Sequence, residues 1–200
     1  MDKFVSRGGV KLQAVIENWK LKIENLVCLD VGSSTGGFVD CLLQNGAGKV
    51  YAVDTCYGEL AWKLRNDPRV VVMERTNILH LSHLGGVSTT QVDLITIDAG
   101  WTKLELVLPV VRKFLRANGL IIALLKPHYE ADKRSFPFPK GKRKKDLIKG
   151  VLNLDKAEEV KKLVKGRIHE LGFRVESEMI SPILGGSGNR EYLLRLIAPD

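Results

Sequence analysis

The stretch VCLDVGSSTGGF, residues 27–38, passes from an apolar run through a glycine-rich turn into a segment with helical spacing. Such a turn brings the N–H groups at a helix start close to a ligand, because glycine has no side chain in the way. A dinucleotide-binding loop follows the pattern G-x-G-x-x-G, but here the glycines stand at 32, 36 and 37 and Ser34 takes the second place. This spacing disfavours a nicotinamide-dependent oxidoreductase, which we keep as an alternative.

Two acidic residues accompany this loop. Asp30 stands just before the first glycine and can bind the ammonium group of an amino-acid moiety, which S-adenosylmethionine has and a dinucleotide lacks. Asp54 ends the next apolar run, where a carboxylate can accept both hydroxyls of a ribose. The ordered set of strand, acid, glycines, helix, strand and acid predicts S-adenosylmethionine as cofactor, in preference to plain turn geometry and a helix cap. The predicted ligands are Asp30, Gly32, Ser33, Ser34, Gly36, Gly37, Phe38 and Asp54.

The whole chain alternates between apolar runs of strand length and segments of helical period, which is typical of an α/β domain with a largely parallel sheet. The predicted strands are 26–31, 49–53, 70–73, 92–97, 120–125, 173–183 and 191–197. The predicted helices are 11–19, 38–44, 57–65, 104–116 and 155–171. Only the glycine-rich segment 184–189 joins the last two strands, so a seven-stranded sheet is expected to end in an antiparallel hairpin.

Composition and charge narrow the function classes. The 200 residues are 44% hydrophobic and 27% charged, ordinary proportions that exclude disordered, coiled-coil and collagen-like chains. We expect residues 1–200 to form one domain. A net charge of +8 favours a polyanionic partner such as nucleic acid, with an acidic membrane surface as the alternative. No apolar run approaches the ~20 residues that span a bilayer and no signal peptide is visible, so a cytoplasmic location is expected.

Four charged residues stand at the ends of predicted elements: Lys11, Asp98, Lys126 and Glu191. Asp98 and Lys126 end the fourth and fifth strands, and ligands bind at the carboxyl ends of parallel strands. Taken singly, each is better explained as an ordinary strand-end charge in solvent. Two lysines and two carboxylates in one crevice would instead shift one another's pKa values, as functional sites do. Asn77, after the third strand, either contacts an adenine edge or makes a local turn.

A basic run follows the fifth strand and is interleaved with Phe136 and Phe138. Its cations are Lys133, Arg134, Lys140, Lys142, Arg143, Lys144 and Lys145. The run predicts a clamp on RNA phosphates with stacking on an unpaired base, and a solvated loop is an equal alternative. His80 and His83 lack further ligands, so no metal is predicted. The three cysteines form no CxxC pair and are expected to be buried thiols.

Seven motifs stand in chain order at 6–12, 30–43, 51–54, 57–65, 74–77, 125–127 and 188–192. Together they resemble the TlyA/hemolysin A family of FtsJ-like RNA 2′-O-ribose methyltransferases over nearly the whole chain. The resemblance implies a Rossmann-like methyltransferase fold, S-adenosylmethionine as methyl donor, and the ribose of ribosomal RNA, free or in a ribosomal subunit, as acceptor. It also implies a catalytic Lys-Asp-Lys-Glu tetrad, which falls here on Lys11, Asp98, Lys126 and Glu191.

The chain departs from the family pattern at two places. It has Asp98-Ala99-Gly100-Trp101 where the family commonly has Asp-Val-Ser-Phe, and Lys126-Pro127-His128-Tyr129-Glu130 where the family has Lys-Pro-Gln-Phe-Glu. Family members usually carry an S4-type RNA-binding domain before the first motif, so either the gene product lacks that module or the sequence is a fragment. The alternative function is a non-catalytic RNA-binding or hemolysin-like interaction protein with the same fold.

Transfer of a methyl group to a ribose hydroxyl is an in-line displacement, so the protein must position two reactants and manage one proton. Lys126 is expected to accept that proton or to hold the developing alkoxide, with Lys11 as second cation. Asp98 would orient Lys126 and face the sulfonium, and Glu191 would fix the lysine geometry. A carboxylate too close to Lys126 opposes the base role, so both roles stay open.

Overall fold

A computed structural model of the chain describes residues 3–87, 90–100, 102–131 and 151–199. Its helices are α1 (Gly8–Asn18), α2 (Gly37–Gln44), α3 (Trp62–Arg65), α4 (Leu104–Val111), α5 (Pro127–Glu130) and α6 (Leu154–Glu170). Its strands are β1 (Val27–Val31), β2 (Lys49–Val53), β3 (Val70–Met73), β4 (Val92–Ile97), β5 (Leu115–Leu125), β6 (Arg174–Ile180) and β7 (Tyr192–Ile197). Strands and helices alternate up to β5 as the periodicity predicted, except that the described part of the connection from β3 to β4 contains only a short 3-10 turn at Ile78–His80.

The seven strands form one sheet in the order β3-β2-β1-β4-β5-β7-β6. Strands β1 to β5 are parallel, and β7 is antiparallel to both β5 and β6. This confirms the predicted mostly parallel sheet with an antiparallel C-terminal pair. The chain runs outward from β1 to β3 and then returns to place β4 beside β1. The carboxyl ends of β1 and β4 therefore form a topological switch point, where ligands bind in open α/β sheets.

Helices cover both faces of the central strands, which are rich in apolar residues, whereas the side chains of the edge strand β6 alternate between exposed and half-buried. Helices α1 and α2 pack on one face, over a core that includes Leu12, Cys28 and Val39. Helices α4 and α6 pack on the other face, over a core that includes Leu29 and Val107. Burial of both faces holds the strand ends, and the loops that follow them, in fixed positions.

Two predicted helices are shorter than expected. The predicted helix 57–65 begins only at Trp62, because Gly58 has φ +77° and its amide donates to Glu74 Oε1 at 3.0 Å. The predicted helix 104–116 ends as an α-helix at Val111, since Leu115 already pairs with Val92 on β4. In consequence β5 starts at Leu115 and not at residue 120.

The segment that joins β6 to β7 is a compact loop. Gly185 donates to the Asn189 carbonyl at 2.9 Å, and Gly188 donates to the Gly185 carbonyl at 2.9 Å. The loop turns the chain directly into β7, as the hairpin prediction required. Within the described ranges, no helix combines the length and the apolar character needed to cross a bilayer.

Candidate active site

The glycine loop after β1 lies directly against the end of β4. Gly32 has φ +84°, and a Cβ at this position would stand 2.8 Å from the Asp98 carbonyl oxygen. Because such contact with backbone excludes any side chain, glycine is required here. The Asp98 amide also donates to the Val31 carbonyl at 2.9 Å. The backbone after β1 and the backbone after β4 are therefore in direct contact at the switch point.

The other two glycines of the loop leave room for the segments that pack against it. A Cβ on Gly36 would stand 2.3 Å from Leu64 Cδ1 of α3, and a Cβ on Gly37 would stand 2.2 Å from Ser6 Oγ. Gly36 lines neither of the cavities described below. Its observed role is to let α3 approach the loop, and its predicted contact with a cofactor stays a prediction.

Two cavities open beside this loop. The strand-end cavity, of about 360 Å³, lies over the ends of β1, β2 and β4, and its lining includes Val53, Asp54, Asn77, Ile78 and Lys126. The N-terminal cavity, of about 230 Å³, lies between the loop and the start of α1, and its lining includes Ser6, Arg7, Lys11, Ser33, Gly37 and Phe38. Gly32, Ser34 and Asp98 line both cavities. The two cavities thus meet at the switch point.

Asp54 lies at the mouth of the strand-end cavity, immediately after β2. Its Oδ2 accepts a hydrogen bond from the Ser34 amide at 2.7 Å, and its Oδ1 accepts one from the Cys56 amide at 2.8 Å. These bonds fix the carboxylate while leaving further lone pairs on both oxygens for a ligand. Asn77 lines the same cavity, and its Oδ1 accepts from the Leu79 amide at 3.0 Å.

The four charged residues form two ion pairs. Lys11 Nζ donates to Glu191 Oε2 at 2.6 Å, and both side chains are buried. Lys126 Nζ contacts the Asp98 carboxylate and donates to the Asp98 carbonyl at 3.3 Å. The structure therefore brings together Lys11 of α1 with Glu191 beside β7, and Asp98 after β4 with Lys126 after β5. Each pair is electrically balanced, which lowers the cost of burying its charges.

Glycine also makes room for the Lys11–Glu191 pair. A Cβ on Gly185, in the loop between β6 and β7, would stand 2.4 Å from Glu191 Oε1. The loop thus covers Glu191, whose exposed fraction is 3%. No local sequence signal links Lys11 to Glu191 and the Gly185 loop, because the contact between Lys11 and Glu191 depends on the sheet order.

Asp30 lies beneath the glycine loop and lines neither cavity. Its side chain is completely buried, and Oδ1 accepts from Thr96 Oγ1 at 2.5 Å. Oδ2 has no hydrogen-bond partner among the described residues. Burial raises the pKa of Asp30 to about 7, and the nearby Asp98 and Asp54 carboxylates add to this rise. Its predicted contact with an ammonium group stays a prediction.

Two residues near the cavities carry features that the sequence did not reveal. Cys56 is exposed and lines the strand-end cavity, whereas Cys28 and Cys41 are buried, so the prediction of three buried thiols was wrong for Cys56. His128 follows Lys126 on α5, and burial lowers the pKa of its imidazole. The charge of Glu191 opposes this lowering, and the charges of Lys126 and Lys11 add to it.

Part of the predicted site lies outside the described residues. This holds for Trp101 and for the whole basic run, that is Lys133, Arg134, Lys140, Lys142, Arg143, Lys144 and Lys145. Their predicted contacts with RNA therefore stay predictions. Within the described ranges no cluster of three His, Cys, Asp or Glu side chains could hold a metal ion.

Comparison with known proteins gives relatives over nearly the full chain. The Bacillus subtilis protein YqxC, described as an rRNA methyltransferase, is 41% identical over 98% of this chain and 66% of its own length. The 16S/23S rRNA (cytidine-2′-O)-methyltransferase TlyA of Mycobacterium tuberculosis is 39% identical over 96% of this chain and 68% of its own. The chain thus spans about two thirds of the length of these curated relatives.

Solved structures agree with this relationship. A Streptococcus thermophilus protein described as a hemolysin is 35% identical with a TM-score of 0.87, and the match covers 100% of this chain and 69% of that one. Fibrillarin from Aeropyrum pernix, solved with S-adenosyl-L-methionine bound, shares the fold alone at 15% identity and a TM-score of 0.59, covering 88% of this chain and 69% of its own. The family described as FtsJ-like methyltransferase matches residues 4–197. These matches confirm the resemblance drawn from the motifs, and the chain belongs to the FtsJ-like methyltransferase family.

Proposed function

We propose that this chain transfers a methyl group from S-adenosylmethionine to a ribose 2′-hydroxyl of ribosomal RNA. The observation that carries the proposal is the position of Asp98, which lines both cavities and contacts Lys126 where they meet. A transferase for two substrates needs two adjoining sites with its reactive groups at their junction. We assign the strand-end cavity to the methyl donor and the N-terminal cavity to the ribose acceptor.

The residues of the strand-end cavity fit S-adenosylmethionine. Its volume of about 360 Å³ suits a small-molecule site, and it offers a carboxylate, an amide and an apolar wall. Asp54 would accept the ribose hydroxyls, and Asn77 would contact the adenine edge beside Ile78. The backbone at Gly32 and Ser34, which lines both cavities, would pass close to the amino-acid part.

When bound, S-adenosylmethionine supplies an electrophilic methyl group on a sulfonium. The residues of this chain then have three tasks: to orient the acceptor hydroxyl, to hold the charge that develops on its oxygen, and to move its proton. Lys126 lines the strand-end cavity and contacts Asp98, which lines both cavities. As an ammonium held by Asp98, Lys126 would hold the charge on that oxygen, whereas deprotonation requires a neutral amine, which the contact with a carboxylate opposes. Asp98 would also face the positive donor. Lys11, fixed by Glu191, provides the second cation on the acceptor side.

Ribosomal RNA is the proposed acceptor for two reasons. The TlyA relative bears an rRNA methyltransferase name, and the net charge of +8 suits a polyanion. Transfer of tritiated methyl groups to ribosomal RNA, followed by mapping of the modified nucleotide, tests the proposal. We expect label on a 2′-oxygen. RNA binding without label would contradict the proposal and favour the non-catalytic alternative.

Replacement of Asp54 by alanine is expected to weaken binding of S-adenosylmethionine about ten- to hundredfold, since hydrogen bonds to a charged group contribute ~1.5–3 kcal/mol. Isothermal titration calorimetry measures the change directly. Asp67→Ala is the matched control, because this carboxylate pairs with Arg69 and lies outside both cavities. If Asp54→Ala binds as tightly as the control, the ribose assignment is wrong.

Replacement of Lys142, Arg143, Lys144 and Lys145 by glutamine is expected to weaken binding to all RNAs. It should also reduce the slope of log affinity against log salt, by up to ~0.7 for each phosphate of a single strand that the variant no longer neutralises. Filter binding at several salt concentrations gives the slope. The control removes four cations from α6, Lys156, Lys161, Lys162 and Lys165, and so matches the change in net charge. Equal slopes in the two variants would identify the run as a solvated loop.

A further inference from the structure

Asp40, on α2, is a buried carboxylate outside both cavities, and its exposed fraction is 3%. Its Oδ2 accepts from the Val5 amide at 2.8 Å, and its Oδ1 accepts from Gln44 Nε2 at 3.0 Å. Lys63 Nζ completes the set, at 2.9 Å from Oδ2 and 3.2 Å from Oδ1. Burial alone would raise the pKa of Asp40, but the hydrogen bonds from Gln44, Lys63 and Val5 hold it below its usual range.

The contact with Val5 fixes a segment that continues into the N-terminal cavity. Gln44 Nε2 also donates to the Lys3 carbonyl at 3.0 Å, so α2 holds this segment at two points of its backbone. The next residues, Ser6 and Arg7, line the cavity and lead into α1, which carries Lys11. The position of Lys11 thus depends on how the segment before α1 is held.

The same segment packs too closely against its surroundings to take up a slightly different path. A Cβ on Gly9 would stand 2.3 Å from the Phe4 ring, and one on Gly37 would stand 2.2 Å from Ser6 Oγ. Contacts of this kind have no spare volume, so a shift of Val5 is transmitted to α1. The bond between Asp40 and Val5 joins this backbone segment to a charged side chain, and hydrogen bonds to charged groups are the stronger ones.

Asp40 also contacts the helix on the donor side. Lys63 belongs to α3, whose Leu64 side chain packs against Gly36. The segment just before α3 contains Cys56 and Glu59, which line the strand-end cavity. The Lys63 side chain is 58% exposed, so this ion pair contributes little to stability. The contact with Val5 is therefore the one expected to matter for the site.

We propose that Asp40 is a positioning residue for the acceptor side of the active site, acting through the Val5 amide on the segment that carries Ser6, Arg7 and Lys11. The inference rests on the proposed function, in which the N-terminal cavity receives the ribose. Asp40 touches neither substrate, and its effect is transmitted through the backbone. Its loss should therefore reduce turnover of RNA while leaving the donor site intact.

The test compares Asp40→Ala, Asp40→Asn and the matched control Lys63→Met. Alanine removes every contact, asparagine keeps a side-chain oxygen that can accept from Val5, and Lys63→Met removes only the exposed ion pair. For Asp40→Ala we expect kcat at saturating RNA to fall at least about tenfold, as for removal of one charged hydrogen bond, with affinity for S-adenosylmethionine unchanged within about twofold. Asp40→Asn should recover most of the activity, and Lys63→Met should match the parent.

Hydrogen–deuterium exchange provides a readout that needs no activity. Amides in residues 5–11 should exchange about ten- to hundredfold faster in Asp40→Ala than in the parent or in Lys63→Met. If the parent methylates no RNA but exchange is still faster in Asp40→Ala, the positioning role is supported and the proposed function is rejected.

Three results would overturn the inference: unchanged exchange in these amides, parent-like turnover of Asp40→Ala, or equal losses of turnover in Asp40→Ala and Lys63→Met. If Asp40→Ala fails to fold, Asp40→Ser, whose hydroxyl is too short to keep the bond to the Val5 amide, takes its place in the exchange measurement, and unchanged exchange in residues 5–11 would overturn the inference.

Discussion

Lys126→Ala is expected to abolish methyl transfer, with kcat lower by about 10²- to 10⁴-fold, while S-adenosylmethionine binds with nearly the parent affinity. In the proposed mechanism Lys126 acts on the acceptor oxygen, and a group used only in the transition state changes turnover more than ground-state binding. Asp98, which is proposed to face the positive donor, should stay in place because the Gly32 backbone and the Val31 carbonyl hold its backbone. Single-turnover kinetics and calorimetry measure the two effects separately.

Lys126→Arg distinguishes the two roles that the sequence left open. Arginine keeps the positive charge but cannot take up a proton, so we expect this variant to fail as well. Full activity of Lys126→Arg would show that Lys126 only holds the developing charge. Lys113→Ala, at an exposed lysine before β5, is the control. Near-parent activity of Lys126→Ala would refute the tetrad and favour the RNA-binding alternative.

The sequence predicted those parts of the site that depend on strand ends. Apolar runs locate the carboxyl ends of β4 and β5 at Ile97 and Leu125, and the polar residue after each run must lie at the carboxyl edge of the sheet. Asp98 and Lys126 therefore converge in any parallel arrangement that makes these strands neighbours, as they are here. Local periodicity was sufficient for this half of the tetrad.

The Lys11–Glu191 pair could not be located in the same way. The two residues are 180 positions apart, and their 2.6 Å contact requires α1 to pack beside α2 on one face of the sheet and β7 to insert between β5 and β6. Sequence spacing contains no information on that strand order. The family resemblance named both residues, but it did not show that Gly185 makes room for the pair.

Glycines illustrate a second limit. Spacing alone suggested that Gly32, Gly36 and Gly37 all face the cofactor, because glycine-rich loops bind ligands. The structure shows that Gly36 accommodates Leu64 and that Gly37 accommodates Ser6. A glycine needed for close packing and a glycine needed for ligand approach look the same in a sequence, since both lack a side chain for steric reasons.

Asp30→Asn is expected to change the pH dependence of stability. The pKa of Asp30 is about 7 in the folded chain, raised mainly by burial, whereas an aspartate in an unfolded chain titrates near ~3.9. Between these values the folded state binds more protons than the unfolded state, so the free energy of unfolding falls as pH rises through this window. The contribution of Asp30 is therefore most favourable below about pH 4 and is lost above about pH 7.

Asparagine has nearly the same shape, keeps an oxygen for the Thr96 hydroxyl and has no charge to bury. The stability of Asp30→Asn relative to the parent should therefore rise between pH 4 and pH 8, by an amount on the order of 4 kcal/mol at most, or ~1.4 kcal/mol for each unit by which the pKa is raised. Urea unfolding at four pH values in this range gives the difference in free energy of unfolding, and a carbon-13 titration of the Asp30 carboxyl gives its pKa directly.

A difference in free energy of unfolding between variant and parent that does not change with pH would show that Asp30 is ionised in the folded chain throughout this range. The buried Oδ2 would then need a cationic or hydrogen-bonding partner beyond the described residues, because an unpaired buried carboxylate is too costly to persist.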